Sequence, residues 1–390
     1  MINNQELTKI CADWSFWDRV PPASLQRQIA LPPVLSQDLA LVIQGVRRGG
    51  KSTLLTQLPQ HYGLPLAQCY YCNFEDPRLL NHLDHTLLSQ ILTLAREQYS
   101  SDTPCYFFLD EIQNVQNWEK WLHTQLERPK NNFFILTGSN SSLLSGEFSI
   151  SLTGRTIALE LFPFSFSEYK TLFPKKKLTD YFLSGGFPKA VTYTPAYELL
   201  QEYFDNIILR DVLRSVHART PQALKQVIQM TFESCGSELS FRKIAAVMGL
   251  TVDTVKSYLE AAEEAYLLFS CPYFSFSEKK RLLRQRKYYP IDPGLRRAVI
   301  GAGGQDLGKS LELLVFLHLK KMYGQVFYWQ ERNQGEIDFV VLDGSAIIPY
   351  QVSWKGIAPR HEKALESFYQ LFPNAKEAIF INSENAAEFL

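Results

Sequence analysis

The stretch 39–58 reads LALVIQ, then GVRRGGKST, then LLTQL, and it decides the fold of the first part of the chain. An apolar run of strand length comes first, a loop of small and basic residues follows, and an amphipathic helix pattern then begins. Gly45, Gly50, Lys51 and Ser52 fill the spacing G-x-x-x-x-G-K-[ST]. This spacing, with a strand before it and a helix after it, is typical of a phosphate-binding loop.

Phosphate binding needs these residue types for physical reasons. Glycines let the backbone fold back and point N–H groups at phosphate oxygens, and the helix N-terminus adds partial positive charge. Lys51 would reach the β- and γ-phosphates, and Ser52 would offer its hydroxyl oxygen to Mg²⁺. The alternative is a glycine loop before an ordinary helix, but the flanking pattern favours a nucleoside triphosphate site. The predicted nucleotide-binding residues are Gly45, Val46, Arg47, Arg48, Gly49, Gly50, Lys51, Ser52 and Thr53.

Bulk composition bounds the class of protein. The 390 residues are 46% hydrophobic and 13% aromatic, enough for two or three domains with buried cores. The formal net charge is zero, so any attraction to nucleic acid must be local. No apolar run is long enough to span a bilayer, and the N-terminus has no secretion-signal pattern. Together with six scattered cysteines, this composition predicts a cytoplasmic protein without a membrane partner.

Cys69 and Cys72 form a C-x-x-C pair, which raises the alternatives of a redox or zinc site and of ordinary core residues. The pair lies in a strand-like run, where positions i and i+3 point to opposite faces. We therefore expect core cysteines.

Residues 36–165 predict an α/β fold with a parallel sheet. Short apolar runs (LALVIQ, CYYCNF, CYFFLDE, FFILTGSN) alternate with helical periods, including LLNHLDHTLLSQILTLAREQ and VQNWEKWLHTQLE. Ligands of such sheets bind at the carboxyl ends of the strands. Each motif found in this segment is predicted to lie at that edge.

Two acids end the third predicted strand. Asp110 would hold Mg²⁺ and Glu111 would polarise the attacking water, although a plain helix cap would look similar. After the next strand, Ser139 or Asn140 would sense the γ-phosphate, with a turn as the alternative. Arg155 would stabilise the γ-phosphate of its own or a neighbouring chain, with a surface arginine as the alternative. An oligomer is plausible if Arg155 serves a neighbour.

Several phrases resemble one protein family. GVRRGGKSTLL, FFLDEIQNVQNWE, ILTGSNSSLL, LTGR, LFPFSFSEY and SGGFP follow one another as in the bacterial and archaeal AAA-type ATPases with a C-terminal domain of unknown function. The resemblance covers nearly the whole chain, and LFPFSFSEY and GGFP are its more specific parts. It implies a P-loop fold, ATP with Mg²⁺, and a small helical lid after the ATPase core. It implies no particular biological substrate.

Residues 238–269 have helix-turn-helix spacing, and a strand-like segment follows as in winged helices. The next segment, EKKRLLRQRKYY, predicts a basic wing-like loop that could bind nucleic acid. Its basic residues are Lys279, Lys280, Arg281, Arg284, Arg286 and Lys287. The candidate recognition helix is acidic, however, which favours a protein-interaction role over nucleic-acid contact.

The last hundred residues have the order helix, strand, strand, strand, helix, strand, which resembles a restriction-endonuclease-like core. Such a site needs a helix glutamate, a strand-end aspartate, and Glu/Asp-x-Lys on the next strand. Glu312 and Asp338 match, but Gln351 and Ser353 stand where the acid and the lysine belong, although Lys355 could be a displaced lysine. We expect a degenerate, nuclease-like domain.

The sequence thus predicts five segments: a helical lead-in (1–35), a P-loop ATPase core (36–165), a helical lid (166–235), a winged helix (236–290) and an endonuclease-like α/β domain (291–390). The favoured function is an Mg²⁺-dependent ATPase that acts as a switch on an unknown protein partner. A nucleotide-gated nucleic-acid binder is the alternative, and an active nuclease is the least favoured.

Overall fold

The structure is a computed structural model that describes residues 2–15, 25–128, 130–141, 152, 154–216, 221–301, 306–331, 335–356 and 358–390. Within these ranges the chain forms two units, 1–161 and 162–390. No helix among the described residues is long and apolar enough to cross a membrane.

A five-stranded parallel sheet forms the centre of the described part of unit 1–161, and it confirms the predicted parallel sheet. Its strands are β1 (Ala40–Gln44), β2 (Cys69–Asn73), β3 (Cys105–Asp110), β4 (Asn132–Gly138) and β5 (Thr156–Glu160), in the order β2-β3-β4-β1-β5. The helices are α1 (Asn4–Trp14), α2 (Lys51–His61), α3 (His85–Arg96) and α4 (Trp118–Glu127).

Both faces of this sheet are buried, which explains why its strands are nearly continuous apolar runs. Alternate residues such as Val42, Phe107 and Phe134 pack with α1, α3 and α4. The residues between them, such as Ile43 and Phe108, pack with α2 on the other face. At about 25 cal/mol per Å² of buried apolar surface, this double burial is the main stabilisation of the sheet.

Cys69 and Cys72 lie in β2 and both are buried. Cys69 belongs to the core on the α2 side and Cys72 to the core on the opposite side. Their thiols therefore face away from each other across the sheet, as expected for core residues.

The predicted start of one helix is wrong. The sequence pattern places it from Leu79, whereas α3 begins at His85. Asp84 has an extended backbone, and its carboxylate accepts the backbone N–H of Thr86 at 2.8 Å. This cap fixes the helix start and takes precedence over the apolar periodicity upstream.

The unit 162–390 begins with helices. These are α5 (Phe166–Leu172), α6 (Leu178–Ser184), α7 (Ala196–Ile207) and α8 (Pro221–Glu233). The phrases LFPFSF and SGGFP meet here, because Phe164 and Gly186 share a backbone hydrogen bond of 2.7 Å. Asp292 accepts the N–H of Gly186 at 2.6 Å.

A helix pair and a small antiparallel sheet follow. The elements are β6 (Glu238–Leu239), α9 (Phe241–Met248), α10 (Val252–Glu264), β7 (Leu268–Cys271), α11 (Glu278–Leu283) and β8 (Arg286–Pro290), with strand order β6-β8-β7. Thr251 caps α10 through the N–H of Thr254 at 3.1 Å. The predicted wing-like loop is wrong over 278–283, because Ser277 caps this segment and it forms the short helix α11.

The chain ends in an α/β layer. Its elements are α12 (Pro293–Ile300), α13 (Leu307–Tyr323), β9 (Phe327–Glu331), β10 (Gly335–Asp343), β11 (Ala346–Val352), α14 (Pro359–Leu371), β12 (Ile379–Ile381) and α15 (Ala386–Phe389). The sheet order is β12-β11-β10-β9, with β11 and β12 parallel and the other neighbours antiparallel. The element order agrees with the sequence expectation, while the endonuclease-like assignment stays a prediction.

Candidate nucleotide site

The loop 45–50 follows β1, and its first residue is sterically constrained. Gly45 has φ +152°, and a Cβ at this position would lie 2.2 Å from the carbonyl oxygen of Leu161. The N–H of Leu161 also donates to the Gln44 carbonyl at 2.7 Å. Only glycine allows the backbone of the chain after β5 to approach this closely, so the path of the loop is fixed at its first residue.

Lys51 is the first residue of α2 and is only 4% exposed. Its ammonium donates to the carbonyl oxygens of Gly45 at 2.9 Å and of Val46 at 3.2 Å. It lies 3.5 Å from the Glu111 carboxylate. The lysine therefore folds over the loop, inside the cradle where a phosphate would bind.

Asp110 is fully buried at the carboxyl end of β3. Tyr71 donates to Oδ2 at 2.5 Å, and the Thr137 hydroxyl donates to Oδ1. Burial and the neighbouring Glu111 raise the pKa of Asp110, whereas hydrogen bonds from Thr137, Tyr71 and Ser52 oppose this rise. The contact with Ser52 joins the two residues predicted to hold Mg²⁺.

Glu111 adopts a left-handed backbone with φ +57°, which is uncommon for a residue with a side chain. Its N–H donates to the Thr137 hydroxyl at 3.0 Å, and Gln113 donates to its carboxylate at 2.5 Å. Burial favours the protonated form, but Lys51 and the hydrogen bond from Gln113, with further contributions from Arg47 and Ser139, lower the pKa of Glu111. The strained turn thus places the ionised carboxylate of Glu111 beside Lys51.

Ser139 is 1% exposed and accepts a hydrogen bond from Gln113 at 3.3 Å. It follows β4, the strand between β3 and β1, so it lies between the acidic strand and the loop. Asn140 follows it and is partly exposed. Their role as phosphate sensors stays a prediction.

The remaining loop residues differ in burial: Arg48 and Thr53 are exposed, whereas Gly49 is buried. Arg47 pairs with Glu75 at 2.7 Å, and Arg48 has φ +66°. The carbonyl of Gly49 accepts from Arg27 at 3.1 Å, and Thr53 is exposed on the first turn of α2.

Arg155 is not at this site in its own chain. It precedes β5 at the amino-terminal edge of the sheet, where its carbonyl accepts the N–H of Ala40 at 2.9 Å. The loop leaves β1 at the opposite edge, and the guanidinium pairs with Glu127 at 3.4 Å. The prediction that Arg155 acts on the γ-phosphate of its own chain is therefore wrong; service to a neighbouring chain stays a prediction.

Sequence reasoning missed three residues of this site: Tyr71, Gln113 and Thr137. Tyr71 and Thr137 contact Asp110, and Gln113 links Glu111 to Ser139. The pairing of Asn73 with Asp110 places Tyr71 beside the acidic strand, but this register exists only in the folded sheet. Thr137 ends an apolar run and offered a weak signal of its own.

The predicted nuclease-like residues lie in the other unit. Glu312 accepts from Tyr289 at 2.7 Å, and Asp338 accepts from Gln351 at 2.5 Å and from the N–H of Val352 at 2.7 Å. The N–H of Ser353 donates to Ile381. Within the described ranges, no three His, Cys, Asp or Glu side chains are placed to share a metal ion.

One of the six basic residues predicted to contact nucleic acid is buried. Lys287 is 1% exposed, because β8 turns its side chain inward to carboxylates. The expectation that it contacts a phosphate backbone is wrong. The other five are at least partly exposed: Lys279, Lys280, Arg281, Arg284 and Arg286.

The residues of the candidate site fit a nucleoside triphosphate with Mg²⁺. The loop offers backbone N–H groups, α2 begins without a side-chain cap, and Lys51 lies within the cradle. Ser52 and Asp110 supply the oxygen ligands that Mg²⁺ prefers. The donor set is that of phosphate and magnesium binding, with an ionised Glu111 beside it.

Three family models match the chain in succession. A model described as an AAA domain matches residues 37–170, a domain of unknown function (DUF8612) matches 175–306, and another (DUF4143) matches 307–389. An uncharacterized protein of Haemophilus influenzae is 31% identical over an alignment of 343 residues that covers 83% of this chain and 85% of that protein. An uncharacterized protein of Methanocaldococcus jannaschii is 32% identical over 327 residues, 77% of this chain and 71% of its own.

Among solved structures, Cdc6p from Pyrobaculum aerophilum aligns with 68% of this chain and 86% of its own length. The sequence identity is 12% and the TM-score is 0.30, so this likeness carries no argument about function.

Proposed function

Because the chain belongs to the bacterial and archaeal family that joins an AAA domain to C-terminal domains of unknown function, we propose that it is an Mg²⁺-dependent ATPase acting as a nucleotide-driven switch. The AAA-domain match makes the first part of the chain a P-loop NTPase. The observation that carries the proposal is the contact of Lys51 with both the loop carbonyls and Glu111.

Each residue of the site has a task in this proposal. ATP would supply the phosphoanhydride bond, and the Mg²⁺ bound with it would neutralise charge on the phosphates. Lys51 and the loop N–H groups bind the phosphates, and Ser52 and Asp110 hold the metal. Tyr71 and Thr137 orient the Asp110 carboxylate through both of its oxygens. Glu111 accepts a proton from the attacking water, which its lowered pKa permits at neutral pH.

The switch rests on the position of Lys51. Its ammonium is shared between the loop carbonyls and Glu111 at 3.5 Å. A phosphate that draws Lys51 to itself leaves Glu111 held by Gln113 and available to water. Binding thus completes the hydrolytic arrangement, and turnover returns Lys51 to its carboxylate and carbonyl partners.

We expect Lys51→Ala to weaken ATP binding by about 100-fold or more, because charge-assisted bonds to phosphate contribute roughly 1.5–3 kcal/mol each. ATP binding and turnover should be measured on the full chain, with Lys120→Ala, an exposed lysine on α4, as the matched control. Undiminished binding by Lys51→Ala would place the nucleotide elsewhere. Tight binding without turnover by the unchanged protein would make the nucleotide structural.

The second candidate is a nucleotide-gated binder of nucleic acid without nuclease activity. Around α11, Phe276, Leu282 and Leu283 are 71%, 68% and 75% exposed beside Lys279 and Lys280. Exposed aromatic and basic side chains together suit stacked bases and a phosphate backbone. Arg284 already stacks on the Tyr273 ring at 4.9 Å.

For this candidate, the double change of Lys279 and Lys280 to Gln should weaken binding to single-stranded nucleic acid. The slope of log affinity against log salt should become shallower by roughly 1.5, because two phosphate contacts are lost. The same change at Lys363 and Lys376, both exposed in the same unit, is the control. Fluorescence anisotropy with and without ATP measures the effect; equal losses in both double variants would remove α11 from the interface.

A further inference from the structure

Four charged side chains meet inside the unit 162–390. Lys287 comes from β8, Glu312 from α13, and Glu336 and Asp338 from β10. The Lys287 ammonium forms an ion pair with Glu336 and lies 3.9 Å from Glu312. Lys287 is 1% exposed, so water cannot substitute for these partners. We name these four residues the lysine–carboxylate cluster.

Neutral groups donate hydrogen bonds to two carboxylates of the cluster. Tyr289 donates to Glu312 at 2.7 Å, while Gln351 and the N–H of Val352 both donate to Asp338. The Gln351 amide oxygen is buried and has no hydrogen-bond partner in the structure. Gln351 therefore acts on Asp338 as a donor, which is what a neutral amide can do and a fourth, ionised carboxylate could not.

The carboxylates of the cluster need a compensating charge. Three neighbouring carboxylates repel one another, and removal from water makes that repulsion stronger. A bound metal, a protein cation or protonation of a carboxylate can relieve it. As the side chains stand, Glu312, Glu336 and Asp338 are not placed to share a metal ion, whereas the Lys287 ammonium already pairs with Glu336 and lies 3.9 Å from Glu312.

We propose that Lys287 is the resident cation of this cluster and stands where a divalent metal would otherwise be needed. The ammonium neutralises the acids of α13 and β10 from β8, and Gln351 reduces the number of acids to be neutralised. The nuclease-like layer then binds no divalent metal at these residues and cannot use one to cleave a phosphodiester. The cluster instead fastens β8 to α13 and β10 within the same unit.

Burial raises the pKa of both Glu312 and Asp338, and the positive charge of Lys287 opposes that rise at each of them. Burial would lower the pKa of the Lys287 ammonium, but Glu312 and Glu336 raise it well above its ordinary value. The ring of Tyr328 adds a cation–π contact at 5.2 Å from the ammonium. The lysine is therefore held as a permanent charge.

The first test is a titration of the nucleotide-free full chain with Mn²⁺, in which electron paramagnetic resonance measures the concentration of the free ion. Lys287→Ala should gain about one bound Mn²⁺ per chain relative to the unchanged protein, because the carboxylates lose their cation and can turn into the space that the ammonium leaves. The double variant Lys287→Ala with Asp338→Asn should lose that gain. All the proteins share the same nucleotide site, so the differences report on the cluster alone.

Two results of this titration would overturn the proposal. One is Mn²⁺ binding by the unchanged protein that disappears in Asp338→Asn, because the cluster would then be a metal site with Lys287 as a companion. The other is a folded Lys287→Ala protein that gains no Mn²⁺.

If Lys287→Ala does not fold, the proposal is tested by thermal unfolding of a second variant. Lys287→Met should lower the unfolding midpoint of the unit by roughly 10 °C, because three partly buried carboxylates lose their cation. Adding Glu336→Gln should recover a large part of that loss, since the repulsion is then smaller. Recovery supports the proposal, and a further loss of stability in the double variant overturns it. The inference does not depend on the proposed ATPase activity.

Discussion

Glu111→Gln is expected to stop ATP turnover while leaving nucleotide binding in place. Glutamine has the shape of glutamate but cannot accept a proton from water at neutral pH. General-base catalysis typically contributes 10²- to 10⁴-fold, so turnover should fall by about 100-fold or more. The dissociation constant should change by only about threefold, because Lys51, which binds the phosphates, is retained.

The geometry sharpens this expectation. Gln113 holds one carboxylate oxygen of Glu111 at 2.5 Å and Lys51 lies 3.5 Å from the other. Glutamine can still accept from Gln113, so the left-handed turn at φ +57° keeps its support. The variant therefore changes the chemistry at one atom and not the local fold.

Glu119→Gln is the matched control for Glu111→Gln. Glu119 is a buried glutamate on α4 whose pKa is raised by burial, and it is not one of the residues assigned to the nucleotide site. Single-turnover hydrolysis and a binding isotherm should be measured for both variants. Full turnover by Glu111→Gln would remove Glu111 from its assigned role, whereas equal losses in the two variants would point to a general effect on folding.

Gly185→Ala is expected to destabilise the unit 162–390 by at least about 3 kcal/mol. Gly185 ends α6 with φ +65° and ψ −166°, a conformation open almost only to glycine. A Cβ there would lie 2.0 Å from Oδ1 of Asp292. The methyl group must displace a buried carboxylate from its hydrogen bonds.

The loss follows from what Asp292 does. It is 1% exposed, accepts the N–H of Gly186 at 2.6 Å, and caps α12 through the N–H of Leu295 at 2.7 Å. Burial raises the pKa of Asp292 to about 6, so its carboxylate depends on these two donors. Moving it costs a helix cap and leaves two buried donors unpaired.

Gly249→Ala is the control that separates the effect of the Asp292 contact from the effect of the left-handed backbone. Gly249 also ends a helix, with φ +64°, but a Cβ there meets nothing within 4 Å. Its loss should be only about 1–2 kcal/mol, the cost of a left-handed residue with a side chain. Urea-dependent hydrogen exchange of peptides from 162–390 measures both. Equal losses would show that the Asp292 contact contributes nothing.

The sequence by itself determined the elements whose signals are local. The spacing of Gly45, Gly50, Lys51 and Ser52 identified the loop, and the apolar run that ends at Asp110 identified the acidic strand. Alternating strands and helices then implied a parallel sheet with its ligand edge at the strand ends. These inferences need only residues that are neighbours along the chain, which is why they could be made without the fold.

Only the tertiary structure decided which distant residues meet. Tyr71 and Thr137 reach Asp110 through the register of neighbouring strands, and that register depends on packing on both faces of the sheet. Arg155 follows a glycine and looked suited to a phosphate, yet the parallel direction of β5 puts it at the opposite edge. Lys287 belonged to a basic run, but the alternation of β8 turned it inward to Glu312 and Glu336. A run of charges records composition, whereas strand direction and pleat decide whether each charge meets water, phosphate or a buried carboxylate.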